Sequence, residues 1–457
     1  MKLRPYQEED VAKLLTLKAA GLFNEPRTGK TPTSLVAMQR RGVKRLLIVC
    51  PASLLYVWKR ECEQWTDYTT TVITDIKKYL KAPLAKTYEG VVIVNYESVR
   101  RSSNRKEELI TSLLKFPFDG LIVDEAHRCK NRKSNTFYSV SQLSRKIPYR
   151  IYCTGTPAQG KPWDIWAILH FIDKITYGSY WRFINYFFVQ QDIFVSGRPI
   201  PTITKFQEGK EQVLAKVLDD ISCNRKRKDI MQWLPEQPTP TVIALPCTRQ
   251  QLKYLKELEE TFQTGDVITV GVLDRLVRVR QICTDPGILN LKSKSPKTQW
   301  LLQYNTDYPE KQIIIFSLSK KYLLRLYEAL SKQTSCGIIT GDVSKLQRQE
   351  YVDAFQSSQL RVLLLQTQAG KEGLTLDNAD VTIFVDTYPP AADYQQARDR
   401  MVATTEERVK PKEIIHLMME GTYDARLYDL VDKNISANAV INDYKKYLKG
   451  VVKNEQS

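Results

Sequence analysis

Two short motifs in this chain of 457 residues combine the residue types that hold a triphosphate and a divalent cation. Residues 26–31 (PRTGKT) form a glycine-bearing turn that ends in Lys30 and Thr31, and residues 121–125 (LIVDE) form an apolar run that ends in two carboxylates. Such a turn directs backbone N–H groups at phosphates, while a lysine reaches the β- and γ-phosphates. A threonine hydroxyl and an aspartate are typical ligands of the associated Mg²⁺. The motifs therefore predict a site for Mg²⁺ and a nucleoside triphosphate.

The roles within this predicted site follow from the chemistry of each side chain. Lys30 binds phosphate, Thr31 and Asp124 serve Mg²⁺, and Glu125 positions the attacking water. The loop departs from the common pattern G-x-x-x-x-G-K-[ST], because Asn24 stands at the first glycine. The two motifs occur in the expected order and each follows an apolar run. Their joint occurrence favours a nucleotide site over a chance turn.

The segments that must position these residues alternate between strand and helix. Short continuous apolar runs are typical of parallel strands covered on both faces, and they lie at 45–50, 91–94, 120–123 and 150–153. Helical patterns, such as 54–65, separate them. The carboxyl ends of such strands carry function. We therefore predict a doubly wound α/β domain over residues 1–172, with the phosphate loop and the Asp-Glu pair at one edge of its sheet.

The remainder of the chain predicts an insertion and a second α/β domain. Residues 173–240 contain an aromatic-rich stretch, a hairpin at 192–200, a helix at 210–221 and a proline-rich linker. Residues 241–457 hold a helical insertion at 248–290 and further apolar runs. The predicted strands of this second domain are 242–245, 312–316, 337–340, 362–365, 381–385 and 414–417.

The composition predicts a globular protein with a polyanionic partner. Hydrophobic residues make up 42% of the chain, and the formal net charge is +17 with a pI near 9.3. Such a charge favours nucleic acid. No apolar run approaches the ~20 residues of a membrane span, and the first residues lack the apolar core of a signal peptide. Eight scattered cysteines without a C-x-x-C pair argue against zinc. We expect a soluble, cytoplasmic protein of a bacterium or of a virus-infected cell.

The clearest local cluster of positive charge is residues 225–228 (RKRK). A solvated linker and a contact with nucleic-acid phosphates both account for such a run. The sequence leaves these two interpretations open.

The motifs along the chain resemble those of the Swi/Snf-like branch of superfamily 2 helicases, which are ATP-driven motors on double-stranded DNA. The resemblance covers nearly the whole chain. In the first half, the segments similar to the family's opening motif and motifs I, Ia, Ib, II and III are 3–7, 24–31, 48–58, 95–97, 124–131 and 154–159. In the second half, the segments similar to motifs IV, V and VI are 314–317, 367–374 and 396–400. The resemblance implies two RecA-like domains with helical insertions, and ATP and Mg²⁺ as cofactors.

The resemblance also implies functional residues. Gln7 recognises adenine, and the catalytic residues are Lys30, Asp124, Glu125 and Arg400. The implied ATP contacts are Arg4, Gln7, Gly29, Lys30, Thr31, Gly373 and Arg400. The implied contacts with nucleic acid are Pro51, Ser53, Asn95, Lys130, Thr154, Thr156, Thr340 and Thr367. The nucleotide site is expected to be shared between the two domains.

Two motifs depart from the family pattern. Motif I is usually D-E-x-G-x-G-K-T, whereas this chain has Asn24 and Arg27 at the first and fourth positions. Motif VI is Q-A-x-D-R-x-x-R, and its last arginine acts on the γ-phosphate; here that position is Ala403. Arg400 is retained, and Arg398 or Arg408 are alternative substitutes. Because such an arginine contributes orders of magnitude to the rate, these departures predict slow hydrolysis.

The resemblance implies an ATP-dependent DNA helicase or double-stranded DNA translocase that acts as a monomer on forks or junctions in replication, recombination or repair. Three alternatives stay open: an ATP-gated DNA-binding module with little turnover, a motor on RNA, and a translocase that does not separate strands. The hairpin around Gly197 is either a wedge at a junction or a surface loop.

Overall fold

The structure is a computed structural model. It describes residues 2–100, 103–158, 161–195, 198–235, 238–370, 374–388, 394, 397–403, 405–433 and 437–454.

The chain divides into two compact units, Met1–Gln232 (unit 1) and Trp233–Ser457 (unit 2). Each unit contains a parallel sheet with helices, so the predicted α/β class with two parallel-sheet domains is confirmed. The boundaries at 172 and 240 stay predictions. The aromatic-rich stretch, the hairpin and the basic cluster belong to unit 1.

The main sheet of unit 1 has the strand order β3-β4-β2-β5-β6-β1-β9, and every adjacent pair in it is parallel. Two further strands, β7 and β8, form an antiparallel hairpin. The strands are β1 (Ala19–Leu22), β2 (Arg45–Cys50), β3 (Thr70–Val72), β4 (Gly90–Asn95), β5 (Gly120–Asp124), β6 (Tyr149–Cys153), β7 (Phe188–Val195), β8 (Arg198–Phe206) and β9 (Ser222–Cys223).

Helices connect these strands and cover both faces of the sheet. They are α1 (Pro5–Thr16), α2 (Lys30–Arg40), α3 (Leu55–Trp65), α4 (Ile76–Lys81), α5 (Tyr96–Val99), α6 (Asn104–Lys115), α7 (Asn135–Lys146), α8 (Trp166–Ile172), α9 (Tyr180–Phe187), α10 (Lys210–Ile221) and α11 (Arg227–Ile230). Short 3-10 helices lie at Ala52–Leu54, Ala126–Cys129 and Pro162–Ile165.

The core of unit 1 explains why its central strands are continuous apolar runs. Alternate residues of a strand point to opposite faces of the sheet. In β2, Leu47 and Val49 pack into one hydrophobic cluster, while Leu46 and Ile48 pack into another, and all four are fully buried. Because both faces of the strand are covered, no position along it favours a polar side chain.

The main sheet of unit 2 has the order β10-β17-β16-β13-β15-β14 and is also parallel. Its strands, with the small hairpin β11-β12, are β10 (Thr241–Leu245), β11 (Gln263–Thr264), β12 (Val267–Ile268), β13 (Ile313–Ser317), β14 (Cys336–Ile339), β15 (Val362–Gln366), β16 (Val381–Phe384) and β17 (Glu413–Met419). Its helices are α12 (Arg249–Thr261), α13 (Val272–Thr284), α14 (Pro296–Asp307), α15 (Lys320–Leu330), α16 (Lys345–Gln356), α17 (Thr367–Gly370), α18 (Tyr423–Asp432) and α19 (Ala437–Asn454). Further 3-10 helices lie at Pro286–Leu289 and Glu406–Arg408.

None of the described helices is both long enough and apolar enough to cross a bilayer.

Candidate functional site

The phosphate loop connects β1 to α2, as the sequence predicts. Gly29 adopts the left-handed conformation at φ 77° and immediately precedes α2, so that Lys30 and Thr31 begin the helix. The Lys30 ammonium donates hydrogen bonds to the carbonyl oxygens of Asn24 and Glu25, at 2.9 and 3.2 Å. The loop thus brings a lysine, a hydroxyl and a helix N-terminus together, which is the arrangement that binds phosphate.

Helix α1 holds this loop through two side chains. The Tyr6 hydroxyl donates to the carbonyl oxygen of Thr28 at 3.0 Å, and the Gln7 amide donates to the same oxygen at 3.2 Å. The other end of the Gln7 amide accepts from the backbone N–H of Arg4 at 2.8 Å, which caps α1. A Cβ added to Gly29 would lie 2.1 Å from the Gln7 amide nitrogen. Gln7 is therefore buried against the loop, next to the predicted nucleotide site.

Arg27 occupies a left-handed backbone conformation, with φ 71°. This is the position at which the motif I pattern has glycine. A side chain in this conformation costs about 1–2 kcal/mol, because its Cβ approaches the following carbonyl oxygen. Arg27 therefore departs from the motif pattern in the sequence and has a strained backbone in the structure.

We predict that Arg27→Gly raises the free energy of unfolding by about 1 kcal/mol, because glycine relieves the left-handed strain. The greater conformational entropy of glycine in the unfolded chain offsets part of this stabilisation. Urea unfolding measures this change. Gly29→Ala is the matched control with the opposite sign, since it adds a Cβ at φ 77° against Gln7. A variant Arg27→Gly that unfolds at a lower urea concentration than the wild type would contradict the prediction.

The two carboxylates lie at the carboxyl end of β5. The Trp58 indole, on α3, donates to the Asp124 carboxylate at 2.8 Å, and the Tyr96 hydroxyl donates to the Asp124 carbonyl oxygen at 2.5 Å. Burial, followed by the charge of Glu125, raises the pKa of Asp124 to about 7, against the opposing effects of Trp58 and Lys30. A nearby cation favours the ionised carboxylate and opposes this rise.

The donor set fits Mg²⁺. This ion is usually bound by one or two carboxylates together with substrate phosphates and water, not by a cage of protein ligands. The Asp124 carboxylate is such a ligand, and the positive charge of Lys30 lies near enough to oppose the rise of its pKa. Within the described ranges there is no group of three or more His, Cys, Asp and Glu side chains that could hold a metal. Thr31 and Asp124 would hold Mg²⁺ with the triphosphate, and the ion would neutralise phosphate charge there.

His127 links the carboxylates to the loop after β6. Its Nδ1 lies 2.9 Å from the hydroxyl of Thr154 and 3.2 Å from a carboxylate oxygen of Glu125. The Thr154 hydroxyl also accepts from the backbone N–H of Thr156 at 3.2 Å. Thr154 is fully buried, so this contact lies inside the unit. The His127 imidazole thus joins Glu125 to the loop that holds residues 154–156.

The structure places the other predicted nucleic-acid contacts of unit 1 on several loops. Pro51 and Ser53 lie at the 3-10 turn that precedes α3. Asn95 caps α5, because its side-chain oxygen accepts from the N–H of Ser98 at 2.7 Å. Lys130 forms an ion pair with Asp164 at 3.4 Å. Pro51, Ser53 and Lys130 follow strands of the main sheet, and Asn95 is the last residue of β4.

In unit 2 the predicted contacts Thr340 and Thr367 follow β14 and β15 and are buried. Gly373, the predicted ATP contact of motif V, lies outside the described residues. So do Gln396, the first residue of motif VI, and Gly197, at the turn of the hairpin.

Two arginines of motif VI, Arg398 and Arg400, and the later Arg408 have different surroundings. An Arg398 guanidinium nitrogen lies 3.2 Å from the Nε2 of His416, and burial lowers the pKa of this histidine to about 3. Arg408 forms an ion pair at 3.0 Å with Asp377, which is buried. The backbone carbonyl oxygen of Arg400 accepts from the N–H of Leu376 at 3.0 Å.

Ala403 replaces the final arginine of the motif VI pattern. It is buried and lines, with Met401 and Val402, a mostly apolar cavity of about 420 Å³ within unit 2. A guanidinium at this position would be desolvated without a carboxylate from the residues that line the cavity. The replacement therefore suits its local surroundings.

Sequence reasoning missed two sets of contacts. Trp58 is part of motif Ia, but nothing in the motif indicates that its indole binds Asp124. Two residues of the basic cluster 225–228 form ion pairs within unit 1. Arg225 binds Glu9 and Asp10, and Arg227 binds Glu25. The run of positive charge was the visible signal, but its partners lie in a distant part of the sequence.

Two family models match successive parts of the chain. The family model described as the SNF2-related domain matches residues 6–288, and that of the helicase conserved C-terminal domain matches residues 296–403.

Several curated proteins are similar to the chain. The ISWI chromatin-remodeling complex ATPase ISW2 of Saccharomyces cerevisiae is 26% identical over 93% of this chain and 39% of its own length. The DNA repair and recombination protein RAD54B of Mus musculus is 24% identical over 96% of this chain and 56% of its own. The human chromodomain-helicase-DNA-binding protein 7 is 24% identical over 94% of this chain and 15% of its own. The chain thus spans between 15% and 56% of the length of these relatives.

A solved structure of the Sulfolobus solfataricus SWI2/SNF2 ATPase core in complex with dsDNA aligns with a TM-score of 0.44 and 22% identity, over 98% of this chain and 95% of that one.

The SNF2-related domain alone accounts for more than half of the sequence, and the helicase C-terminal domain follows it in the order expected from the motifs. The chain therefore belongs to the SNF2 family.

Proposed function

We propose that the chain is an ATP-dependent motor that moves along double-stranded DNA and remodels branched DNA. The observation that carries the ATPase part is the arrangement in unit 1 of the phosphate loop, Asp124 and the contact between His127 and Thr154. Lys30 and Thr31 hold the phosphates, Glu125 orients the attacking water, and His127 passes changes at Glu125 to the loop after β6. Arg400 supplies positive charge to the γ-phosphate.

The net charge of the chain and its similarity to known proteins support DNA as the partner. The net charge of +17 favours a polyanion. Relatives of the chain are named as chromatin-remodelling and DNA-repair proteins. Contacts with phosphates carry no sequence information, so binding should be tolerant of sequence and sensitive to salt.

The test is the rate of ATP hydrolysis with no nucleic acid and with duplex DNA, a four-way junction, single-stranded DNA and duplex RNA. The proposal expects the largest stimulation with the junction, and displacement of a labelled strand from it. Equal stimulation by duplex and junction without displacement would indicate a translocase that does not separate strands. Preferential stimulation by RNA would overturn DNA as the substrate.

A second candidate is an ATP-gated DNA-binding module with little turnover. The strained Arg27 and the buried Ala403 favour it, because both stand where the motifs of fast ATPases have other residues. ATP-dependent DNA binding without DNA-stimulated hydrolysis would identify this alternative.

A surface of unit 1 supports branched DNA as the substrate. We define the α9 face as the exposed side of that helix together with two neighbouring cations: Arg132, Trp181, Arg182, Tyr186 and Lys210. The Trp181 and Tyr186 side chains are 49% and 50% exposed. The Arg132 guanidinium lies 5.6 Å from the Trp181 ring centre, and the Lys210 ammonium lies 3.7 Å from that of Tyr186.

Half-exposed aromatic rings beside cations are what unpaired bases stack on, while the cations attract the phosphates. A fork with single-stranded arms offers unpaired bases and a continuous duplex does not. The hairpin β7-β8 begins directly after α9, and Phe188 at its start is buried in the core of the unit. The α9 face therefore lies at the base of the hairpin that the sequence suggested as a wedge.

We predict that Trp181→Ala combined with Tyr186→Ala weakens binding to forked DNA about thirtyfold or more, because stacking is worth about 1–3 kcal/mol per base and two rings are removed. Binding to continuous duplex should change less than twofold. Fluorescence anisotropy with both DNAs at one salt concentration measures the difference. Tyr308→Ala is the matched control, since Tyr308 is an exposed aromatic residue 4.2 Å from the Lys311 ammonium in unit 2. Equal loss for fork and duplex would remove the α9 face as a reader of unpaired bases.

A further inference from the structure

The segment 222–227, which we call the strap, runs beside the start of the phosphate loop. Its first two residues form β9, which pairs in parallel with Gly21 and Leu22 of β1. Beyond the strand, the N–H of Phe23 donates to the carbonyl oxygen of Cys223 at 2.7 Å, and the N–H of Glu25 donates to that of Arg225 at 3.0 Å. The strap thus follows the chain from β1 into the loop.

The buried side chain of Asn24 is the centre of a closed set of hydrogen bonds. Its amide nitrogen donates to one carboxylate oxygen of Asp10 at 2.7 Å, and its amide oxygen accepts from the backbone N–H of Arg225 at 2.9 Å. The Nε of Arg225 donates to the other carboxylate oxygen of Asp10 at 2.9 Å. Asp10 is 1% exposed, and a carboxylate so buried needs its partners to remain in place.

The same residues hold the catalytic lysine. Lys30 donates to the carbonyl oxygens of Asn24 and Glu25. The Glu25 side chain in turn accepts from the backbone N–H of Arg227 at 2.9 Å. The strap therefore fixes, through Asn24 and Glu25, the two oxygens against which the Lys30 ammonium rests.

The network also accounts for one departure from the family pattern. Motif I usually has aspartate where this chain has Asn24. The carboxylate next to this position is supplied here by Asp10, which lies on the face of α1 that also carries Gln7. One helix thus holds the loop at both ends, at Asn24 through Asp10 and at Thr28 through Gln7.

We propose that Arg225 is a positioning residue for Lys30: it locks Asn24 to Asp10 and so couples the phosphate loop to the segment that carries the β7-β8 hairpin. Helix α10 joins the hairpin to the strap, and the Lys13 ammonium secures that junction by donating to the carbonyl oxygens of Asp219 and Ser222. The proposal rests on the proposed ATPase function. It assigns Arg225, the first residue of the basic run, a role in ATP affinity.

The test is a charge swap between positions 10 and 24. Asn24→Asp brings a second carboxylate to within 2.7 Å of Asp10, and Asp10→Asn removes the buried one of the two carboxylates that pair with Arg225, leaving Glu9. We expect either single change to raise the KM for ATP about tenfold. The double variant Asp10→Asn with Asn24→Asp restores one amide, one carboxylate and the same number of hydrogen bonds. Its KM should return to within about threefold of the wild type.

Arg225→Ala should raise the KM as the single changes do, whereas Lys216→Ala, which removes an exposed positive charge from α10, should leave it unchanged. Binding of a fluorescent ATP analogue without DNA and the thermal midpoint are measured for every variant. A purely structural role would lower the midpoint and the active fraction while the KM stays constant, and this outcome would overturn the proposal. A double variant no better than the singles would also overturn it.

The wild type separates this proposal from the proposed function. A wild type that neither binds the analogue nor hydrolyses ATP would remove the ATPase itself. A wild type that does both, with Arg225→Ala at an unchanged KM, would remove only the role of Arg225.

Discussion

Lys30→Ala is expected to lower the DNA-stimulated rate of ATP hydrolysis at least about 10²-fold, because it removes a preorganised positive charge from the γ-phosphate during transfer. Two carbonyl oxygens hold the Lys30 ammonium at the N-terminus of α2, so it is already directed at the interior of the phosphate loop. Steady-state hydrolysis with saturating duplex DNA measures the effect.

Lys44→Ala is the matched control for this variant. Lys44 is an exposed lysine in the same unit, and its ion pair with Glu89 at 3.1 Å lies on the surface. Surface pairs contribute little to stability, so this variant should keep the wild-type rate. If Lys30→Ala retained more than half of that rate, the phosphate loop would not be the hydrolytic site.

Arg400→Ala is expected to lower the rate about 10³-fold or more at saturating ATP, which is the range for arginines that stabilise the charge on a transferred phosphoryl group. The affinity for ATP should change much less, because the charge acts mainly in the transition state. Separate measurement of kcat and of the affinity for a fluorescent ATP analogue distinguishes the two effects.

Arg408→Ala and Arg398→Ala are the comparisons that identify which arginine acts. Arg408 is paired with the buried Asp377, and Arg398 lies against the neutral His416. Removal of either guanidinium leaves a buried polar group with fewer partners, so these variants should lose stability more than kcat. A larger loss of kcat with Arg408→Ala than with Arg400→Ala would assign the role to Arg408.

The sequence predicted most of the main-sheet strands, because strands covered on both faces consist of apolar residues alone. The predicted strand at 45–50 is β2, and the run at 120–123 is β5 without its last residue. The predicted helix at 54–65 begins one residue later in the structure. These elements have local signals: an unbroken run of Val, Ile and Leu, or a repeat of apolar residues with a helical period.

The local chemistry of the site was also predictable, but its surroundings were not. Residues 26–31 and 124–125 carry their chemistry in adjacent positions, so spacing alone indicates it. The bond from Trp58 to Asp124 joins α3 to β5, and no periodicity encodes such a contact. The two residues of β9 are too few to show a pattern, and their partners in β1 lie far away in the chain.

The strap has a consequence for how unit 1 ends. Without β9, the edge of the sheet at Gly21 and Leu22 would present unpaired backbone groups, and exposed edges of this kind invite pairing with another chain. The chain closes this edge with a segment that comes after the hairpin and α10. A polypeptide that stopped at residue 172 would contain every motif of the first half. It would also leave an unpaired edge strand beside the phosphate loop. The strap, which contacts the phosphate loop, thus also pairs with the backbone of this edge strand.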